Sequence, residues 1–126
     1  MKKIIHTPDA PSAIGTYKQA IEINGFIYTS GQIGIEPRTG TLVDGGIKEQ
    51  TMRVLNNIDA ILTAAGLDKA SIIKLTVFLT DLEGFGDVND AFQSYFGDID
   101  FPARSTVEVS GLPLGAMVEI ECIASR

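Results

Sequence analysis

Two stretches near the C-terminus alternate apolar and polar residues, and they constrain the fold more than any other part of the chain. Residues 101–109 read FPARSTVEV and residues 117–124 read MVEIECIA, with residues 110–116 between them. Alternation of this kind predicts half-buried β-strands. We predict that the two strands form an antiparallel hairpin with their apolar rows on one face, because a one-residue slip would turn one row over.

The register of this hairpin predicts a polar face opposite the apolar one. The apolar face would carry Val107, Val109, Val118, Ile120 and Cys122. The polar face would carry Arg104, Thr106, Glu108, Glu119 and Glu121. Such a face is either a solvated surface with a cross-strand pair of Arg and Glu, or a site built from a guanidinium and carboxylates.

The Asn24-Gly25 pair predicts a second hairpin in the first third of the chain. It separates two β-rich runs, residues 18–23 and 26–30, and follows a short predicted strand at residues 3–6. Asn-Gly between such runs favours a two-residue turn in which both residues adopt positive φ.

Two helices and a central strand are predicted between the hairpins. Apolar residues recur at helical spacing over residues 47–65, with Gly66 as the stop, and again over the Phe85–Phe96 stripe. Residues 71–80 are apolar and β-branched, which is typical of a central strand. The order β, ββ, α, β, α, ββ predicts an α+β fold in which two helices cover one face of a mixed β-sheet.

Asn89 and Gly31 each allow a structural and a functional interpretation. Asn89 lies inside the apolar stripe of the second helix, where an amide must find hydrogen-bond partners. It either ties down a backbone group near its helix, or it orients a loop or contacts a ligand at the sheet edge. Gly31 ends a predicted strand, where glycine indicates either a turn or the close approach of a ligand or another backbone.

Composition argues against several functional classes. The 126 residues suit a single domain spanning residues 1–126, and no apolar run approaches the ~20 residues that span a bilayer. One Cys and one His argue against a structural zinc site, and the lone Cys fits a cytoplasmic protein. A net charge of −6 argues against a protein whose main task is to bind nucleic acid.

Several ordered motifs resemble those of the Rid family (reactive intermediate deaminases, RidA branch, formerly the YjgF-type proteins). Together they cover essentially the whole chain. The motifs are residues 10–17 (APSAIGTY), 28–33 (YTSGQI), 77–82 (VFLTDL), 88–89 (VN), 102–107 (PARSTV), 111–113 (GLP) and 118–121 (VEIE). The chain departs from the family pattern at Thr16, where proline is usual, and at Thr106, where many members have cysteine.

The resemblance implies a chorismate-mutase-like α+β fold. Three subunits would close their sheets into a central β-barrel, with ligand clefts between subunits. It also implies a deaminase for 2-iminobutanoate and 2-iminopropanoate, a hydrolase in metabolite damage control. Such an enzyme converts reactive enamines and imines, such as 2-aminoacrylate, to 2-keto acids and ammonia, and needs no metal or organic cofactor.

The residue roles that follow are expectations from this resemblance. Arg104 would hold the substrate carboxylate, for which a planar guanidinium has matching donors. Glu119 and the Gly31 carbonyl would position the attacking water. The other matched positions are expected to line the cleft, namely Tyr17, Ser30, Asn89 and Thr106.

Two further classes of function are compatible with the sequence. One is a non-catalytic regulatory protein that binds 2-keto or amino acids, which would keep Arg104 but need not keep Glu119. The other is an endoribonuclease or translation inhibitor, an activity ascribed to some relatives and opposed here by the acidic balance. The presence of both Arg104 and Glu119 favours the deaminase.

Overall fold

A computed structural model describes all residues, 1–126. The strands are β1 Lys3–Ile5, β2 Ala20–Ile23, β3 Phe26–Thr29, β4 Gln32–Ile33, β5 Ile35–Glu36, β6 Thr41–Leu42, β7 Ile72–Leu79, β8 Ala103–Glu108 and β9 Val118–Ser125. The helices are α1 Ile47–Ala64 and α2 Phe85–Phe96. Neither helix combines the length and apolarity that a membrane span requires.

Seven strands form one mixed sheet in the order β1-β2-β3-β9-β7-β8, with β4 pairing to β9. All pairs in it are antiparallel except β7 with β8. Strand β7 lies between two partners, as predicted for the apolar run at residues 71–80. Strands β5 and β6 form a separate two-stranded ribbon.

The predicted Asn24-Gly25 hairpin is confirmed. Strands β2 and β3 pair in the register Ile23 with Phe26 and Ala20 with Thr29. Asn24 has φ of 52° and Gly25 has φ of 81°, so both turn residues occupy the left-handed region that this turn requires.

Helix α1 ends where the sequence predicts. Gly66 has φ of 77°, its N–H donates to the Thr63 carbonyl at 2.9 Å, and the Leu67 N–H donates to the Leu62 carbonyl at 2.8 Å. These two bonds form a Schellman motif, which satisfies carbonyls that the helix end leaves free. The apolar stripes of α1 and α2 pack on one face of the sheet and form a single hydrophobic cluster with it.

The predicted C-terminal hairpin is wrong, because β7 lies between β8 and β9. Strand β8 runs parallel to β7, and β9 runs antiparallel to it. A parallel pair needs a long crossover, and α2 supplies it between β7 and β8. Alternation identified both strands correctly, but it carries no information on which strand each one pairs with.

The predicted face of β8 is also wrong. Arg104 pairs with Leu75 and Thr106 pairs with Val77, two residues that are fully buried under the helices. Arg104 and Thr106 therefore lie on the helix-covered face, while Val107 is 43% exposed on the other face. Glu119 lies between the buried residues of β9, so it is on the uncovered face, opposite to Arg104.

The uncovered face of the sheet carries large apolar side chains. Those at least 40% exposed there include Ile4, Phe26, Tyr28 and Val107. Ile4 and Tyr28 both pair with Ile21, so part of this apolar surface is contiguous, and a contiguous apolar patch is typical of a protein contact surface.

Candidate active site

Arg104 lies against two aromatic rings of α2 and has no carboxylate partner. Its Cζ is 5.0 Å from the ring centroids of both Phe85 and Phe92. The two ion pairs of the chain involve other arginines, Arg53 with Glu36 and Arg126 with Glu22. Burial lowers the pKa of Arg104, because its charge is partly desolvated without a counter-ion. A cation in this state has N–H donors available for an anionic partner.

Arg104 and Asn89 face the same cavity, which has a volume of about 470 Å³. Phe92, Gln93, Phe101 and Pro102 complete its lining. The Asn89 side chain forms no hydrogen bond within the chain, so the interpretation that it ties down a backbone group is wrong. The structure instead leaves its amide without a partner in the cavity that Arg104 also lines. Phe85, predicted as part of the core, is 42% exposed and stacks on Arg104.

Thr106 carries the one buried side-chain polar atom that lacks a hydrogen-bond partner, its Oγ1. It follows Arg104 by two residues on the same strand face. An unpaired buried hydroxyl costs about 1–3 kcal/mol, so it is poised to bind a water or a ligand.

Glu119 lines a second cavity, of about 100 Å³, together with Tyr17 and Gly31. Burial raises the pKa of Glu119, and the nearby Glu121 raises it further. A carboxylate with a raised pKa is a stronger base than an ordinary glutamate, which suits it to accept a proton from water.

Gly31 leaves room for the Glu119 carboxylate. A Cβ at position 31 would lie 2.1 Å from Glu119 Oε2 and 2.7 Å from its Cδ. The sequence left open a turn or a close approach at Gly31, and the structure shows a close approach, made by a side chain. The neighbouring Ser30 donates its hydroxyl to the Lys18 carbonyl.

Five of the seven predicted site residues form two groups within one chain, and Ser30 and Thr106 line neither cavity. Tyr17, Gly31 and Glu119 share the small cavity, and Asn89 shares the larger one with Arg104. The expectation that Arg104 and Glu119 lie on one face is wrong, because they project from opposite faces of the sheet.

Sequence reasoning missed the buried amides that hold the backbone around the Glu119 cavity. Gln50 Oε1 accepts the Met117 N–H at 2.9 Å, and Asn57 Nδ2 donates to the Ile35 carbonyl at 2.9 Å. Both amides come from α1 and are buried. The sequence signal for these amides was their position. They are seven residues apart beside the apolar stripe of α1, and amides on a packed face need hydrogen-bond partners.

The remaining candidates for chemistry lie outside these cavities. Cys122 is buried, as predicted for a core residue, and burial raises its pKa to about 12. His6 is exposed. No three His, Cys, Asp or Glu residues cluster closely enough to hold a metal ion.

Comparison with known proteins assigns the family. A family model described as "Endoribonuclease L-PSP" matches residues 7–126. A crystal structure described as a member of the conserved Rid protein family, YyfA from Yersinia pestis, is 55% identical, covers 100% of both chains and superposes with a TM-score of 0.97. The chain belongs to the Rid family.

Two further Rid proteins are similar to this chain over nearly its whole length. A protein from Bos taurus named 2-iminobutanoate/2-iminopropanoate deaminase is 48% identical over 98% of this chain and 90% of its own length. E. coli TdcF, solved with bound serine, is 42% identical, with 98% of both chains covered and a TM-score of 0.94. The names attached to Rid proteins therefore include both a deaminase and an endoribonuclease.

Proposed function

We propose that this Rid protein hydrolyses reactive 2-enamine and 2-imino acids, such as 2-aminoacrylate, to 2-keto acids and ammonia. One observation carries the proposal: Arg104 is a partly desolvated cation that faces a cavity without a carboxylate partner. The name of the bovine relative supports the reaction, and the serine bound to TdcF supports a small 2-amino acid framework for the ligand.

A complete site would need two subunits. Arg104 and Glu119 lie on opposite faces of the sheet, so one chain cannot direct both at one small molecule. We propose a homotrimer with a central barrel, in which Arg104 of one subunit and Glu119 of its neighbour face the same cleft. The exposed apolar side chains of the uncovered face support association through that face.

In this arrangement Arg104 binds the substrate carboxylate through two parallel N–H donors. The enamine tautomerises to the imine, whose carbon is electrophilic. Glu119 takes a proton from a water held beside the Gly31 carbonyl, and the water oxygen attacks the imine carbon. Glu119 returns this proton to the nitrogen, which gives the carbinolamine. The carbinolamine hydroxyl then passes its proton through Glu119 to the nitrogen, the C–N bond breaks, and ammonia and the 2-keto acid are released. The imine itself is reactive toward water, so the proposed steps use only side chains and backbone of the protein.

The other predicted site residues have supporting roles in this mechanism. Asn89 and Thr106 have polar groups without partners on the Arg104 side, and Tyr17 and Ser30 flank Gly31 on the other side. Cytoplasmic location stays a prediction from the single cysteine.

A direct comparison of substrates tests the proposal. We expect the purified protein to accelerate keto acid formation from 2-iminopropanoate generated in situ by an amino acid oxidase. Single-stranded RNA incubated with the same preparation is expected to stay intact, because the chain is acidic overall. Cleavage of RNA that survives rigorous purification, without imine turnover, would establish the endoribonuclease named in the family description instead.

Substituting Gly31 with alanine is expected to lower kcat about 10–100-fold. The added methyl group would lie 2.1 Å from Glu119 Oε2 and displace the carboxylate from its water. The φ of Gly31 is open to other residues, so the fold should persist. Steady-state kinetics with thermal melting checks this, and Gly86→Ala is the matched control, because a Cβ there meets nothing within 4 Å. Wild-type kcat in Gly31→Ala would contradict the role of the close approach.

A further inference from the structure

The wall of the Glu119 cavity includes a loop without regular secondary structure. This N-terminal loop, residues 6–19, connects β1 to β2. Pro11, Ser12, Ile14 and Tyr17 belong to it and line the cavity. A loop without helix or strand bonds must be held by other contacts if it is to present a defined wall.

Gln19 supplies those contacts. Its Oε1 accepts the Thr7 N–H at 2.8 Å, and its Nε2 donates to the carbonyls of Thr7 at 3.0 Å and Pro11 at 2.8 Å, with a longer contact of 3.3 Å to Ala10. The side chain is only 2% exposed. Residues 7–17 form hydrogen bonds with the rest of the chain only through the Gln19 side-chain amide.

The backbone of Gln19 joins the loop to the turn that approaches Glu119. The Gln19 carbonyl accepts the Ser30 N–H at 2.9 Å, and the preceding Lys18 carbonyl accepts the Ser30 hydroxyl. Ser30 precedes Gly31, whose α-carbon borders the Glu119 carboxylate. Gln19 is therefore bonded to both sides of the cavity, through its side chain on one and its main chain on the other.

We propose that Gln19 is a positioning residue, which holds the N-terminal loop and its Tyr17 against the Glu119 cavity. This inference rests on the proposed hydrolysis of imines, and it adds a residue that does not touch the substrate. The position requires an amide, because the site demands an acceptor for one N–H and donors for two or three carbonyls. Methionine matches the length of glutamine without these groups, and a glutamate carboxylate would have no donor.

The test compares Gln19→Met with the wild-type protein in three measurements. Losing these bonds is expected to lower kcat for 2-iminopropanoate about 10-fold or more and to speed hydrogen exchange at the Thr7 amide by a similar factor. The Kd for pyruvate, a carboxylate probe for Arg104, is expected to change less than about twofold, because Arg104 supplies the main contact and no loop residue of the same chain lines its cavity. Gln19→Glu should also lower kcat at neutral pH, because its carboxylate can still accept the Thr7 N–H but cannot donate to the Thr7 and Pro11 carbonyls.

A control variant separates positioning from general loss of stability. Thr51→Val removes a buried hydroxyl that donates to the Ile47 carbonyl at 2.7 Å within α1. We expect it to lower Tm while leaving kcat and Thr7 exchange at wild-type values. General loss of stability would not lower kcat and speed Thr7 exchange while leaving the Kd for pyruvate nearly unchanged.

Two results would overturn the proposal: unchanged Thr7 exchange in Gln19→Met, or faster exchange with wild-type kcat. The exchange measurement does not depend on turnover. A wild-type protein that fails to hydrolyse imines would therefore overturn the proposed function alone, and Thr7 exchange would still decide whether this amide holds the loop.

Discussion

Replacing Arg104 with alanine is expected to lower kcat/KM for 2-iminopropanoate by about 10²–10⁴-fold. Two charge-assisted hydrogen bonds to the substrate carboxylate are lost, each worth about 1.5–3 kcal/mol, and about 1.4 kcal/mol corresponds to a factor of ten. Isothermal titration with pyruvate should show the same loss in binding. Arg104 has no ion pair to break, so the variant loses only its contacts with Phe85 and Phe92, and the melting temperature should fall modestly.

Two further variants sharpen this result. Arg104→Lys keeps the charge but not the two parallel donors, so its kcat/KM should lie between those of the wild type and Arg104→Ala. Arg38→Ala removes an exposed arginine at the β5–β6 turn, outside both cavities, and should leave kcat/KM unchanged. Full activity in Arg104→Ala would show that the substrate carboxylate does not bind this guanidinium, and it would contradict the proposed function.

Replacing Glu119 with glutamine is expected to lower kcat about 10²–10⁴-fold, the range for loss of a general base. The same variant should melt at a higher temperature at neutral pH. Burial raises the pKa of Glu119, so the folded state binds its proton more tightly than the unfolded state. Above that raised pKa the charged form weakens folding, and a neutral amide removes the penalty. Lower activity with higher stability would exclude unfolding as the cause.

Glu121 offers a matched control on the same strand. It is exposed, lines neither cavity and contributes to the raised pKa of Glu119. Glu121→Gln should keep wild-type kcat near neutral pH and move the acid limb of the pH profile to lower pH. If Glu119→Gln turned over imine within about threefold of wild type, another group would have to activate the water.

Mixing the two inactive variants tests whether each site combines two subunits. In a three-fold ring, every hybrid of Arg104→Ala and Glu119→Gln chains contains one cleft in which both native side chains meet. Equal mixing after joint refolding should restore about a quarter of wild-type activity, since about three quarters of the trimers are hybrids with one working cleft of three. A mixture that stays inactive would contradict the shared cleft. Either both residues of each site would then belong to one chain, or the two residues would not act in the same cleft.

Local signals in the sequence determined most of the elements of this protein. The Asn24-Gly25 turn, the Gly66 stop and the apolar stripes of the helices depend on φ preferences and on 3.6-residue periodicity, which act within a few residues. Ordered motifs along the whole chain determined the family, which the match over residues 7–126 confirms.

Only the tertiary structure decided the neighbours of the last two strands. Alternation states which residues of one strand share a face, but it does not state which strand lies beside it or which face meets the helices. With β7 between β8 and β9, Arg104 lies on the face that α2 covers, and Glu119 lies on the uncovered face. Strand pairing is a property of the whole sheet, because it depends on hydrogen bonds and packing between segments that are distant in sequence.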